Sequence, residues 1–247
     1  MRVVQPGPIA GLLSQLAVIA AIAASIGLSA RGWIVGISFG VIANLLLARG
    51  LARHGAGGLR PADRVTLTRA TLVGGVATLV ADSFGRPTPV AMLLGLTVLA
   101  LVLDGVDGWV ARRTRTASTL GAHFDMEVDA FLILLLSVYV ARSSGAWVLA
   151  IGTARYAFLA AGWVLPWLRE TLPARYWRKV VAAIQGIVLT IAAAGVLPGL
   201  VTEAALVVAL GLLAESFGRD VWWLWCRHRV LPHPVAGPRP VAVGVHQ

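Results

Sequence analysis

The chain has 247 residues, of which 58% are hydrophobic and only 13% charged, with 21 Lys+Arg against 11 Asp+Glu for a formal charge of +10. Soluble domains carry about 25% charged residues, so this composition excludes a disordered chain and argues against an ordinary soluble enzyme. A mean hydropathy of +0.81 points instead to a polytopic membrane protein.

Residues 1–10 contain one arginine and a Pro-Gly-Pro, and no small-residue cleavage site stands out. The first apolar stretch therefore reads as a retained span and not a signal peptide. Apolar runs follow one another at 11–29, 32–48, 65–81, 88–110, 125–141, 146–168, 180–198 and 201–223, separated by Gly, Pro, Arg or short polar clusters. They predict eight transmembrane helices in an all-α bundle. The glycines at 74 and 75 and at 105 and 108 suit close helix packing in lipid. Segment 224–247, rich in Pro, Val and Gly from Val230 onward, reads as a disordered cytoplasmic tail. The single cysteine, Cys226, excludes an internal disulfide and a cysteine-based metal site. Trp222, Trp223 and Trp225 beside Arg227 and Arg229 read as an interfacial belt.

Charge sets the expected orientation. With a cytoplasmic N-terminus and eight crossings, Arg31, Arg86 and Arg142 fall outside and seventeen basic residues fall inside, Arg69, Arg112, Arg113 and Arg115 among them, while Arg155 lies within a span. Basic loops mark the cytoplasmic side, so both termini are expected there. The positive balance then serves loops and anionic headgroups and does not signal nucleic acid.

The acids are unevenly spread. Asp63 opens the third helix, where a carboxylate complements exposed N–H groups. Asp104, Asp107, Asp125, Glu127 and Asp129 crowd the inner ends of the fourth and fifth helices. Asp104 and Asp107 (i, i+3) share one helix face, and Asp125 and Asp129 (i, i+4) share another. A short polar hairpin makes these helices antiparallel neighbours, so four carboxylates can converge, whereas Glu127 points elsewhere. Uncompensated, such charges repel and their proton affinity rises. Divalent cations are the simplest remedy, and an oxygen-only donor set selects Mg2+ or Mn2+. Two such ions can clamp a diphosphate. A second arrangement compatible with the spacing is a solvated network in which the acids pair with Arg112, Arg113 and Arg115.

The run Asp104-Gly-Val-Asp107-Gly108-Trp-Val-Ala111-Arg112, then eight residues to Gly121, three more to Asp125 and three more to Asp129, resembles the CDP-alcohol phosphotransferase signature D-x2-D-G-x2-A-R-x8-G-x3-D-x3-D at every specified position. Upstream, Asp63-Arg-Val-Thr66-Leu-Thr-Arg69 is similar to the family's N-x2-T-x2-R, with Asp in place of Asn. The resemblance implies a six-helix core over 62–223, with residues 1–52 as an added N-terminal transmembrane hairpin. An even number of added spans leaves the core orientation unchanged.

The resemblance also implies a reaction. Such enzymes transfer a substituted phosphate from a CDP-linked donor, most often CDP-diacylglycerol, to a polar alcohol and release CMP, in phospholipid biosynthesis. Asp104, Asp107, Asp125 and Asp129 are then the ligands of two Mg2+ or Mn2+ ions, and Asp129 is also the general base. Thr66, Asp104, Gly108, Ala111, Arg112 and Gly121 are expected at the CDP moiety, and a homodimer is implied. The residues themselves point to an acceptor site. Arg155 is charged within a span, which marks it as a functional candidate. With Arg175, Arg178 and Lys179 it can bind a phosphorylated acceptor. The expected setting is the cell membrane, with the site on the cytoplasmic side. Two alternatives are a transferase using a different CDP-alcohol and a cation transporter using the acids as an ion site.

Overall fold

A computed structural model describes residues 6–53, 61–114, 119–170 and 176–230. Among them every regular element is helical. The helices are α1 (Pro6–Ile26), α2 (Ala30–Arg53), α3 (Pro61–Asp82), α4 (Val90–Thr114), α5 (Thr119–Ser144), α6 (Leu149–Val164), α7 (Tyr176–Ala194) and α8 (Gly199–Val230). Two short 3-10 turns, Ala146–Val148 and Pro166–Arg169, lie before and after α6.

Local chemistry explains most boundaries. Pro6 and Pro61 begin α1 and α3, where a missing N–H costs nothing. The Pro89 carbonyl accepts the N–H groups of Met92 and Leu93 as α4 starts. Gly27, at φ 65°, ends α1 and donates its N–H to the Ala23 carbonyl at 2.8 Å, a left-handed stop that favours glycine. The α1–α2 and α3–α4 connections are stitched together. Asp82 Oδ1 accepts the Ser29 N–H ahead of α2 at 2.8 Å, and Arg86 Nη1 donates to the Gly27 carbonyl at 2.7 Å.

Six helices (α1, α2, α3, α6, α7 and α8) are long and apolar enough to cross a membrane. Helix α4 is apolar over Val90–Val106, and α5 carries Asp125, Glu127 and Asp129 near its start. The acids therefore lie where the apolar run of α4 ends and that of α5 begins. Helix α8 runs past the expected end at 223, and its 32 residues make it about 48 Å long. That exceeds a hydrocarbon core of about 30 Å, so part of it leaves the bilayer.

Helix α3 is the hub. Of its span, 72% is buried, against 33% or less for the other five spanning candidates. It packs against α1, α2, α4 and α5. The core joins Val73, Val76 and Leu79 of α3 to Leu93 and Ala100 of α4, Leu132 and Leu136 of α5, and Leu189 and Leu206 of α7 and α8. Phe39 of α2 stacks on Phe131 of α5 with centroids 5.0 Å apart. Close packing at Gly74 and Gly75 is observed: an added Cβ at Gly74 would lie 2.3 Å from the Gln15 amide oxygen. Gly105 behaves otherwise, since a Cβ there meets nothing within 4 Å. It lies at an open helix surface beside Asp104, so helix contact is not what a glycine at 105 supplies.

Candidate active site

The spacing of α3 puts Asp63, Thr66 and Arg69 on successive turns of one face. All three are buried, and Arg69 has no exposed side-chain surface. That face looks onto the C-terminal part of α4 and the N-terminal part of α5. Asp104, Asp125 and Asp129 each offer a carboxylate oxygen, all within 4.8 Å of one another. Their side chains keep 45%, 32% and 34% of their surface exposed, so the triad opens outward while Arg69 closes it from within.

The guanidinium of Arg69 reaches all three acids. Its Nη1 donates to Asp125 and lies 3.0 Å from Asp104 Oδ1, its Nη2 donates to Asp129, and its Nε donates to the Ala100 carbonyl at 3.2 Å. One side chain of α3 thus ties together the two helices that carry the triad. A buried charge without partners is costly in this setting, so Arg69 and the acids require each other.

Arg69 is the residue that sequence reasoning placed wrongly. Counted among inner-loop charges, it lies well inside the apolar run of α3 and has no exposed surface. The signal was available: the rule that singles out a charge inside a span, applied to Arg155, applies equally to Arg69. Gln15 and Asn44 are further buried polar side chains, on α1 and α2.

The remaining candidates divide. Thr66 is buried on the Arg69 face, and Gly121 lies half-buried in the first turn of α5. Asp107, Gly108, Ala111 and Arg112 belong to α4, but their side chains lie outside the described residues, as does Arg175 altogether. Arg155 on α6 pairs with Glu127, and its Nη1 lies 2.9 Å from Met126 Sδ. Glu127 thus faces α6, away from the triad. Arg178 is 3.5 Å from Asp220 of α8, and Lys179 is exposed in the first turn of α7. A cavity of about 150 Å³ lies between these helices, lined by Trp177, Arg178, Ser216, Arg219 and Asp220.

The triad fits a divalent cation. Its donors are hard oxygens at mutual distances that one ion can bridge. Three carboxylates against one guanidinium leave two negative charges, which a divalent ion balances.

An all-helical bundle of apolar spans, with carboxylates from two facing helices gathered near one end, defines a polytopic membrane protein with an oxygen-donor site. Over residues 59–214 the chain matches the CDP-alcohol phosphatidyltransferase family, and it belongs to that family. No curated protein and no solved structure matches it. Members of the family are phosphotransferases that move a phosphatidyl group from a CDP-alcohol to an alcohol acceptor in a membrane, and they use divalent metals.

Proposed function

We propose that this chain transfers a phosphatidyl group from CDP-diacylglycerol to a polar alcohol, with release of CMP, at the cytoplasmic face of the cell membrane. The observation that carries the reading is the gathering of Asp104, Asp125 and Asp129 within 4.8 Å, on the helices and at the spacing of the family signature. In this reading Asp104, Asp107, Asp125 and Asp129 hold two Mg2+ or Mn2+ ions, residues 62–223 form the catalytic core, and residues 1–52 are an added hairpin. Held there, such ions would supply positive charge against the diphosphate oxygens.

The chain's own groups do the rest. Asp129 accepts the proton of the acceptor hydroxyl as its oxygen bonds to the β-phosphorus, and the bond from that phosphorus to the CMP oxygen breaks with its electron pair leaving on CMP. Thr66, on the buried face of α3, lines the nucleotide side together with Gly108, Ala111, Arg112 and Gly121. A donor whose acyl chains stay in lipid suits a triad that is partly exposed at the end of two apolar helices. Its water-soluble product leaves toward the cytoplasm.

Arg155, Arg175, Arg178 and Lys179 are the basic groups for the acceptor. Arg155 and Arg178 already carry acidic partners, so a phosphorylated acceptor must displace Glu127 or Asp220 to use them. The test is CMP release from CDP-diacylglycerol in detergent with Mg2+ or Mn2+, run against glycerol 3-phosphate, inositol phosphate, serine and inositol in parallel. One acceptor should raise CMP release well above the others. Asp129→Asn should lose about 100-fold or more of the activity with its helical content intact. No CMP from any donor–acceptor pair, or an unimpaired Asp129→Asn, overturns the reading.

A further inference from the structure

We propose that Arg69 is a resident counter-cation: it holds the triad assembled when no metal is bound, and it competes with the divalent ion for the same carboxylates. The proposal rests on the metal-dependent reading only for the identity of the competing ion. Four observations carry it. Arg69 has no exposed side-chain surface, so its charge cannot be met by water. It contacts Asp104, Asp125 and Asp129, each through the carboxylate's Oδ1. Its Nε is anchored to the Ala100 carbonyl, one turn before Asp104, which fixes the guanidinium against α4. The three acids remain partly exposed, so an ion can approach from the side opposite the arginine.

Electrostatics gives the sign. Without a compensating charge, three carboxylates this close drive α4 and α5 apart. The guanidinium prevents that, and the same positive charge repels an arriving cation and occupies oxygens that the cation needs. Arg69 is therefore a positioning residue whose cost is weaker metal binding. Metal affinity is set by this competition as well as by the number of acids.

The experiment uses the full-length protein in detergent, stripped with chelator and titrated with Mn2+. Free Mn2+ is read by electron paramagnetic resonance, and thermal unfolding is followed on the same samples. Arg69→Gln should bind Mn2+ roughly tenfold more tightly than wild type or better. Arg69→Lys, which keeps the charge without the three-way fork, should fall between them. In chelator both variants should melt below wild type, and the deficit should shrink as Mn2+ is added. Equal or weaker Mn2+ affinity in the variants overturns the proposal, and so does unchanged melting of the metal-free forms. If Arg69→Gln does not fold, Arg69→Lys carries both readings. Mn2+ binding by neither wild type nor variants also overturns the competition, whereas intact competition without any CMP release counts against the transferase reading alone.

Discussion

Arg69 has no exposed side-chain surface, whereas Arg155 keeps 26% of its own and its partner Glu127 keeps 49%. Both are arginines within apolar helices, but burial separates their weights. A half-exposed pair contributes about 1 kcal/mol or less, so Glu127→Gln should lower the melting temperature in detergent only slightly. Arg69 is fully buried while its three acids stay partly exposed, so removing it costs more than breaking an exposed pair but less than the about 3–5 kcal/mol of a wholly buried one. Arg69→Leu, which leaves three carboxylates facing one another, should therefore lower it far more. Thermal unfolding of the two variants side by side checks the contrast, and comparable losses would show that Arg69 is not the principal counter-charge.

At the level of elements, α3 organises the site because it is the helix most enclosed by its neighbours. One face carries Asp63, Thr66 and Arg69 toward α4 and α5, and Gly74 admits Gln15 of α1. The N-terminal hairpin is therefore packed onto the helix that positions the triad. Helix α5 is held from its other side at Gly152 of α6, where an added Cβ would lie 2.7 Å from the Leu134 backbone. Backbone cannot yield as a flexible side chain can, so a larger residue must push α6 away. Gly152→Leu should cost about 1–3 kcal/mol, seen as a lower melting temperature. Gly105→Ala, at a position with open space around it, should leave melting almost unchanged. Equal losses at the two positions would contradict the packing described.

Across the whole molecule, α8 is the longest of the described helices, with 32 residues. Its C-terminal part carries Trp222 against Trp225, Arg227 over Trp223 and Arg229 over Trp225 at 3.9 Å. Aromatic rings with adjacent arginines belong at a headgroup layer, and Arg227 also reaches Glu170 after α6 at 3.4 Å. The chain's single cysteine, Cys226, is exposed in this region and makes the orientation measurable. A membrane-impermeant maleimide should label Cys226 in inside-out vesicles and not in intact cells. Labelling of intact cells would reverse the proposed orientation and put the triad on the outer face.

The sequence by itself determined the helical membrane architecture and which acids share a helix face. Both follow from short-range geometry: a lipid solvent demands long apolar runs with internally satisfied backbones, and side chains three or four residues apart must lie together. The family resemblance was likewise legible, because its signature is a spacing within two consecutive helices. Only the tertiary structure decided what faces the acids. Arg69 meets Asp125 and Asp129 across 56 and 60 residues of chain, and Arg155 meets Glu127 across 28. Both arginines sit inside apolar helices, and although Arg69 closes the Asp63–Arg69 motif, that spacing does not say which acids it meets. The difference arises from which helices surround each one: α3 is enclosed by four others, so Arg69 is shut off from water and, among the described residues, is neutralised by the triad, whereas α6 lies nearer the edge of the bundle.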